Sequence, residues 1–99
     1  MKFYNMTNYK TINNLVGVYQ TGNSEATTLL LAQFDKLIKR VAIKYSKKES
    51  TLTFSDLYQH GIYVFLKLCK EYRQDTGVNF VGYIKKYFEH TFTDLMCEI

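Results

Sequence analysis

The residues of this chain best suited to covalent or metal chemistry are two cysteines and two histidines: Cys69, Cys97, His60 and His90. They are not spaced as zinc ligands are. Cys69 falls at helical spacing with apolar residues, which is typical of a small buried hydrophobic side chain. His60 lies one helical turn after Asp56, an arrangement common among surface pairs. There is no Ser/His/Asp grouping, glycine-rich phosphate loop or pair of carboxylates placed for acid–base work. The sequence therefore predicts a protein that is not an enzyme and has no metal or cofactor site.

Lysines form a second pattern with chemical meaning. Residues 1–49 contain eight Lys/Arg and three Asp/Glu, whereas residues 50–99 contain five and six, so the net charges of the two halves are +5 and −1. The basic excess lies mainly in Lys36, Lys39, Arg40, Lys44, Lys47 and Lys48. Such a stripe can attract phosphate groups, or it can be the solvated face of an amphipathic helix. The sequence leaves both interpretations open.

The composition predicts that helices position these residues. The chain has 99 residues, which is the length of one domain (1–99), and 46% of them are hydrophobic. Proline is absent and glycine occurs five times, so little interrupts a helical hydrogen-bond ladder. We predict an all-α fold, a compact bundle of about four helices. Their expected ranges are about Thr7 to Tyr19, Glu25 to Ser46, a third helix ending near Tyr72 and a fourth beginning after Asn79.

Local signals mark the ends of these helices. Gly22-Asn23-Ser24 can end the first helix and cap the second. Thr53 followed by Asp56 is a variant of the capping box. Gly77 can adopt a positive φ in the turn before Asn79, which can cap the fourth helix.

Apolar residues at three-and-four spacing predict the buried faces of the three longer helices. On the second helix they are Leu30, Phe34, Leu37, Ile38, Val41, Ala42 and Tyr45. On the third they are Leu57, Phe65, Leu68, Cys69 and Tyr72, and on the fourth Phe80, Tyr83, Ile84, Tyr87, Phe88, Phe92, Leu95 and Met96. No apolar run approaches the roughly 20 residues that span a bilayer, and no secretory signal is visible, so we expect a cytoplasmic protein that does not bind membranes.

The stretch 54–88 reads FSDLYQHGIYVFLKLCKEYRQDTGVNFVGYIKKYF. It contains a D-L-x-Q-x-G motif, a helix of about a dozen residues, an aromatic residue, a short turn and G-x-x-F-x-x-Y. This order and spacing resemble the second conserved region of bacterial sigma factors of the sigma-70 family, and weaker similarity extends over residues 12–96. The matching positions are Asp56, Leu57, Gln59, Gly61, Leu66, Tyr72, Gly77, Phe80 and Tyr83.

The resemblance implies a surface that binds core RNA polymerase. In the family, the helix with the D-L-x-Q motif docks on a coiled coil of the largest polymerase subunit. Asp56 would pair with cationic side chains there, Gln59 would supply an amide that both donates and accepts, and Leu57 would be the buried partner nearby. His60 occupies a position at which the family usually has an acidic residue. Alternatively, Asp56 is only a first-turn carboxylate stabilised by the helix dipole.

The resemblance also implies capture of the melted minus-ten promoter strand. An aromatic face repays part of the stacking free energy that an extruded base loses. Tyr72, Phe80 and Tyr83 match family positions around a flipped base. One turn further on, Lys85 and Lys86 would hold phosphates and Tyr87 could stack on a base. Alternatively, Phe80, Ile84 and Phe88 are simply core residues, and Tyr83 and Tyr87 also belong to the core, with their hydroxyl ends in contact with water.

Several positions depart from the family pattern. Primary sigma factors have two adjacent tryptophans where this chain has Lys86 and Tyr87, and an arginine where it has Glu89. The helix-turn-helix domain that reads the minus-thirty-five element is missing from the 99 residues. We therefore expect a divergent member whose missing domain is supplied by a separate subunit, or an excised fragment of a longer protein. The alternative is a helical protein-interaction module, or a regulator from a phage or mobile element, that binds polymerase or a partner protein without melting DNA.

Overall fold

The computed structural model describes residues 9–48 and 51–98. Their helices are α1 (Tyr9–Gln20), α2 (Ser24–Ser46), α3 (Phe54–Glu71) and α4 (Phe80–Asp94), with single 3₁₀ turns at Gln74–Thr76 and Met96–Glu98. The predicted all-α bundle of about four helices is confirmed. Thr7, the expected start of the first helix, lies outside the described residues. No helix in this described part is both long enough and apolar enough to cross a bilayer.

The local end signals act as their residue types predict. The side chains of Asn23 and Asn79 each accept hydrogen bonds from first-turn amides, and they cap α2 and α4. Thr53 and Asp56 form a reciprocal capping box at the start of α3, with bonds of 3.1 and 3.2 Å. Gly77 adopts a φ of 82°, where a side chain would be strained. The boundaries of α2, α3 and α4 therefore follow from nearby residues.

One continuous core joins all four helices, and most of the predicted apolar stripes point into it. Its buried members are Ile12, Val16, Leu30, Ile38, Val41, Ala42, Leu57, Val64, Phe65, Leu68, Cys69, Tyr72, Phe80, Ile84, Phe88 and Phe92. The predicted stripe of the fourth helix ran on to Leu95 and Met96. Instead α4 ends at Asp94, and these two side chains pack partly buried against the core from the residues that follow it.

Helix α3 packs tightly against its neighbours at Gly61, which is buried. A Cβ atom at this position would lie 2.8 Å from Cγ2 of Ile38 on α2. It would also lie 3.5 and 3.7 Å from the rings of Phe92 and Phe88 on α4. Because Cγ2 of isoleucine branches directly from Cβ, it has little freedom to move away. The glycine of the D-L-x-Q-x-G motif therefore permits the three helices to pack together.

Two polar clusters link neighbouring helices at the edge of the core. Glu89 on α4 accepts hydrogen bonds from Lys44 and from the hydroxyl of Tyr45 on α2, and these bonds hold the pKa of Glu89 below its usual range. Asp35 on α2 accepts from the hydroxyl of Tyr58 on α3. Each cluster fixes α2 relative to a neighbouring helix by a carboxylate–tyrosine bond.

We predict that Gly61→Ala lowers the free energy of unfolding by roughly 1–2 kcal/mol, because crowding against Ile38 outweighs the gain in helix propensity. The control is Gly82→Ala at an exposed position of α4, where the added Cβ meets only Oδ1 of Asn79 at 3.5 Å. This control should stabilise the protein by about 0.4–1 kcal/mol. Denaturant unfolding monitored by circular dichroism measures both changes. A Gly61→Ala variant as stable as Gly82→Ala would contradict the packing described here.

Candidate nucleic-acid interface

A groove of about 520 Å³ lies between the C-terminal end of α3, the turn that follows it, and α4. This volume falls within the range of pockets that hold small organic molecules. The groove is lined by Leu68, Glu71, Tyr72, Arg73, Thr76, Val78, Tyr83, Lys86, Tyr87 and Thr91. Four of these, Tyr72, Tyr83, Lys86 and Tyr87, are residues that the sequence predicted to bind DNA. The fold therefore brings most of the predicted DNA-binding residues to one place.

Three tyrosine rings form a continuous row in this groove. The ring centroids of Tyr72 and Tyr83 are 5.2 Å apart, and those of Tyr83 and Tyr87 are 5.3 Å apart, with interplanar angles of 54° and 56°. Tyr83 is half-buried, whereas Tyr87 is 39% exposed. Exposure therefore rises along the row, and its outer end offers an aromatic surface to a ligand.

Two of the predicted DNA-binding residues are structural in this fold. Phe80 is fully buried and packs edge-on against Tyr72 with a centroid distance of 5.2 Å, so it offers no face to a base. Tyr72 is only 4% exposed, and its hydroxyl donates to the carbonyl of Val78 across the turn. Phe80 therefore supports the groove from within the core, and Tyr72 contributes mainly the floor of the groove.

The two lysines predicted to bind DNA occupy different surfaces of α4. Nζ of Lys86 lies 5.4 Å from the ring centroid of Tyr87, at cation–π distance, and its side chain lines the groove. Lys85 is exposed but does not line the groove. Successive residues of a helix are about 100° apart around its axis, so adjacent lysines face different directions. Of the two lysines predicted to hold phosphates, only Lys86 therefore lies beside the tyrosines of the groove.

Sequence reasoning missed two charged residues of the groove. Arg73 forms two hydrogen bonds with Asp75, at 3.2 and 2.7 Å, and these bonds lower the pKa of that carboxyl group. Glu71 also lines the groove. Burial raises the pKa of the Tyr83 hydroxyl, and the negative charge of Glu71 raises it further. The position of Arg73, directly after the aromatic residue at the end of α3, was a usable signal.

Helix α1 holds the turn that forms the floor of the groove. The Gln20 side chain donates hydrogen bonds of 2.8 and 2.9 Å to the carbonyls of Cys69 and Tyr72 at the C-terminal end of α3. Asn13 accepts at 2.8 Å from the amide of Phe80, at the N-terminal end of α4. The carbonyls at the end of α3 and the amide at the start of α4 have no hydrogen-bond partner within their own helix, and side chains of α1 supply these partners.

The predicted polymerase-binding residues divide between surface and core. Asp56 and Gln59 are exposed on α3. Leu57 is fully buried, and His60 is 9% exposed. The His60 Nε2 atom lies 2.9 Å from the carbonyl of Phe92, to which it donates. Leu57 and His60 therefore lie in the core, where His60 binds the Phe92 carbonyl instead of forming a surface pair with Asp56, and Asp56 and Gln59 are the predicted docking residues that reach the surface of α3.

Tyr63 lies on the exposed face of α3 but was not among the residues predicted from the sequence to bind polymerase. It lies four residues after Gln59, so the two side chains share a helix face. Its side chain is 53% exposed. An exposed tyrosine beside an amide and a carboxylate is typical of residues that contribute strongly to protein interfaces.

Nothing in the described residues indicates a metal centre. Residues 9–48 and 51–98 contain no group of three or more His, Cys, Asp or Glu side chains that could hold an ion. Burial raises the pKa of the Cys69 thiol to about 12, so this cysteine remains protonated and unreactive at neutral pH. Cys69 is therefore the small buried hydrophobic residue that its spacing predicts.

Comparisons with protein-family models, with curated proteins and with solved structures give no match to this chain.

We predict that Gln20→Ala lowers the free energy of unfolding by about 1–3 kcal/mol, because two carbonyls at the end of α3 lose a part-buried donor. The control is Gln33→Ala, which removes the same side chain from an exposed position of α2 and should change stability by less than about 0.5 kcal/mol. Denaturant unfolding measures both variants. Equal stability of the two would show that α1 does not hold the turn.

Proposed function

We propose that this chain is a non-enzymatic transcription-initiation module similar to the second conserved region of sigma factors. It docks on core RNA polymerase through the exposed face of α3 and holds a base of the melted minus-ten promoter strand in the tyrosine groove. The observation that carries this proposal is the row of tyrosines at increasing exposure, with a lysine beside its outer end.

The groove has the physical properties that single-strand binding requires. A base that leaves the duplex loses its stacking partners, and stacking on an aromatic ring restores about 1–3 kcal/mol. Tyr87 offers an exposed ring for this purpose, and Tyr83 lies next to it within the groove. The hydroxyl groups of these tyrosines keep the site compatible with water when no base is bound.

Phosphate contacts would come from the cations at the rim. Lys86 lies beside Tyr87, so a base stacked on that ring would place its phosphate within reach of the ammonium group. Arg73 lies at the opposite side of the groove on the turn after α3. Because Arg73 is bound to Asp75, a phosphate must displace that carboxylate before it can bind. Lys86 therefore makes the main phosphate contact in this proposal.

The two proposed binding surfaces are far enough apart to act together. Asp56 lies in the first turn of α3, and Tyr72 caps its last turn. With a rise of 1.5 Å per residue, the 16 residues between them correspond to roughly 24 Å. Polymerase bound at the start of α3 would therefore leave the groove open to DNA.

A protein-interaction module that does not bind DNA is the second candidate. The carboxylate of Glu71 lines the groove and would repel a phosphate backbone. The exposed Tyr63 adds an aromatic residue to the face that holds Asp56 and Gln59. These two observations favour docking on polymerase or on a partner protein alone.

We predict that Tyr87→Ala weakens binding of an AT-rich single strand by about 5-fold to 100-fold, the loss expected from removing one stacking partner. Tyr87→Phe should retain most of the affinity because it keeps the ring. Fluorescence anisotropy with a labelled oligonucleotide measures the dissociation constants.

The matched control for this experiment is Tyr63→Ala, which removes an exposed tyrosine from α3, outside the groove. It should leave single-strand affinity within about twofold. Absence of single-strand binding by the unmodified protein would support the interaction module, and equal losses from both alanine variants would contradict a role for the groove.

We predict that Asp56→Asn combined with Gln59→Ala weakens the complex with bacterial core RNA polymerase at least about tenfold, because a charge-assisted hydrogen bond contributes about 1.5–3 kcal/mol. Asparagine keeps a carbonyl oxygen that can accept from Thr53, so the substitution removes the charge while retaining an acceptor for the capping box. Biolayer interferometry with immobilised polymerase measures the affinity.

Thr53→Ala serves as the control for this docking experiment. It removes the hydroxyl that accepts from the amide of Asp56 and leaves the carboxylate in place. This variant should lose stability of about 1 kcal/mol and keep its affinity for polymerase. Docking that depends on Thr53 but not on Asp56 and Gln59 would show that the carboxylate acts only as a helix cap.

A further inference from the structure

The C-terminal half of α2 carries a concentration of positive charge that the groove and the docking face do not use. Residues 36–48 contain six Lys/Arg residues and no Asp or Glu. Three of the cations, Lys36, Arg40 and Lys47, are exposed, and no salt bridge between described residues involves them. At 100° per residue these three share one face of the helix, which we term the basic ridge.

The remaining cations of this segment are partly engaged. Lys39 pairs with Asp35 within α2, and Lys44 pairs with Glu89 on α4. Nζ of Lys48 lies 5.3 Å from the ring centroid of Tyr45, and its charge contributes to the lowered pKa of Glu89. These 13 residues carry a charge of +6, and the two paired carboxylates outside the segment, Asp35 and Glu89, reduce it to +4, so the ridge keeps a strong positive field.

Two lysines of α4 lie close to the contact between this helix and α2. Glu89 joins the end of α2 to α4 through Lys44. On α4, Lys85 and Lys86 precede Glu89 by four and three residues, which places them one helical turn away. Lys86 lines the groove, and Lys85 is exposed outside it. One lysine of the groove therefore lies a single helical turn from the residue that binds the end of α2.

We propose that the basic ridge binds the phosphate backbone of duplex DNA. That this duplex adjoins a melted strand rests on the proposed function of the groove. The segment from Lys36 to Lys48 is roughly 18 Å long at 1.5 Å per residue. Duplex DNA carries one negative charge per about 1.7 Å of its axis with both strands counted, so a duplex segment of this length carries about ten phosphates, of which those on the side towards α2 could contact the ridge. Duplex adjoining the melted strand would lie along the ridge without base-specific contacts.

The shape of α2 favours DNA over an anionic membrane. Surface-bound helices insert an apolar face among the lipid chains. The apolar face of α2 is already buried in the core, where it includes Leu30, Ile38 and Val41. Leu29 and Ile43 are the large apolar side chains of α2 that are exposed beside the cations. A surface of this kind attracts polyanions through charge alone, and the single-strand groove proposed on the same domain makes DNA the polyanion that fits.

The test compares two variants that each remove two positive charges. Arg40→Gln with Lys47→Gln alters the ridge, and Lys67→Gln with Lys70→Gln alters α3. Binding of a mixed-sequence duplex of about 20 base pairs is measured by fluorescence anisotropy over a range of salt concentrations. Because each lost phosphate contact reduces the slope of log K against log salt by about 0.9, the ridge variant should reduce it by roughly 2. The α3 variant should leave the slope unchanged.

Equal slopes for both variants, or ridge-dependent binding to anionic phosphatidylserine vesicles or polyglutamate with none to duplex, would overturn this inference. Failure of the proposed function gives a different result. In that case an AT-rich single strand would not bind through Tyr87, while the ridge variant would still lose duplex affinity. Conversely, Tyr87-dependent single-strand binding with no effect of the ridge on duplex would reject the ridge and retain the groove.

Discussion

The rotation of α4 about its own axis is the constraint on which the groove depends. Four side chains at intervals of four residues, Phe80, Ile84, Phe88 and Phe92, are buried to within 1% of their surface. Any rotation of the helix would lift one edge of this stripe out of the core and expose a large aromatic ring, at a cost of about 1.5–3 kcal/mol for each side chain. The buried stripe thereby places Tyr83 and Tyr87 at its margin, where they are partly covered but reachable from solvent. The properties of the groove follow from core packing on the opposite side of the helix.

The same fold shows how a small domain stabilises an irregular turn. Residues between α3 and α4 have few apolar side chains to bury, and the helix ends on either side leave backbone groups without helical partners. Gln20 and Asn13 of α1 supply partners for these groups, and the Tyr72 hydroxyl bonds across the turn itself. No described buried side-chain polar atom is left without a partner. The turn thus holds Arg73 beside the groove through polar contacts rather than through a core of its own.

Features with local causes were predictable from the sequence, and features with distant causes were not. The caps at Asn23 and Asn79 depend on residues within one turn, so residue type and order were sufficient. His60 shows the limit: a histidine four residues after an exposed carboxylate is typical of a surface pair, yet its partner is the carbonyl of Phe92 on another helix. Lys85 and Lys86 show a related limit. Adjacent residues of a helix face different directions, so the packing of α4 against its neighbours determines that Lys86 lines the groove and Lys85 does not. The resemblance to sigma factors named the residues, and three-dimensional packing determined which of them reach the surface.

The tyrosines of this chain fall into two groups according to what their hydroxyl groups bind. Those of Tyr45, Tyr58 and Tyr72 donate to Glu89, Asp35 and the Val78 carbonyl, and each bond joins two segments of the fold. Bonding to a carboxylate raises the pKa of the first two, and burial raises that of Tyr72. By contrast, none of the hydrogen bonds between described residues involves the hydroxyl of Tyr83 or Tyr87. A tyrosine keeps an apolar ring against the protein while its hydroxyl end remains available to water, which fits the position of these two side chains at the edge of the core.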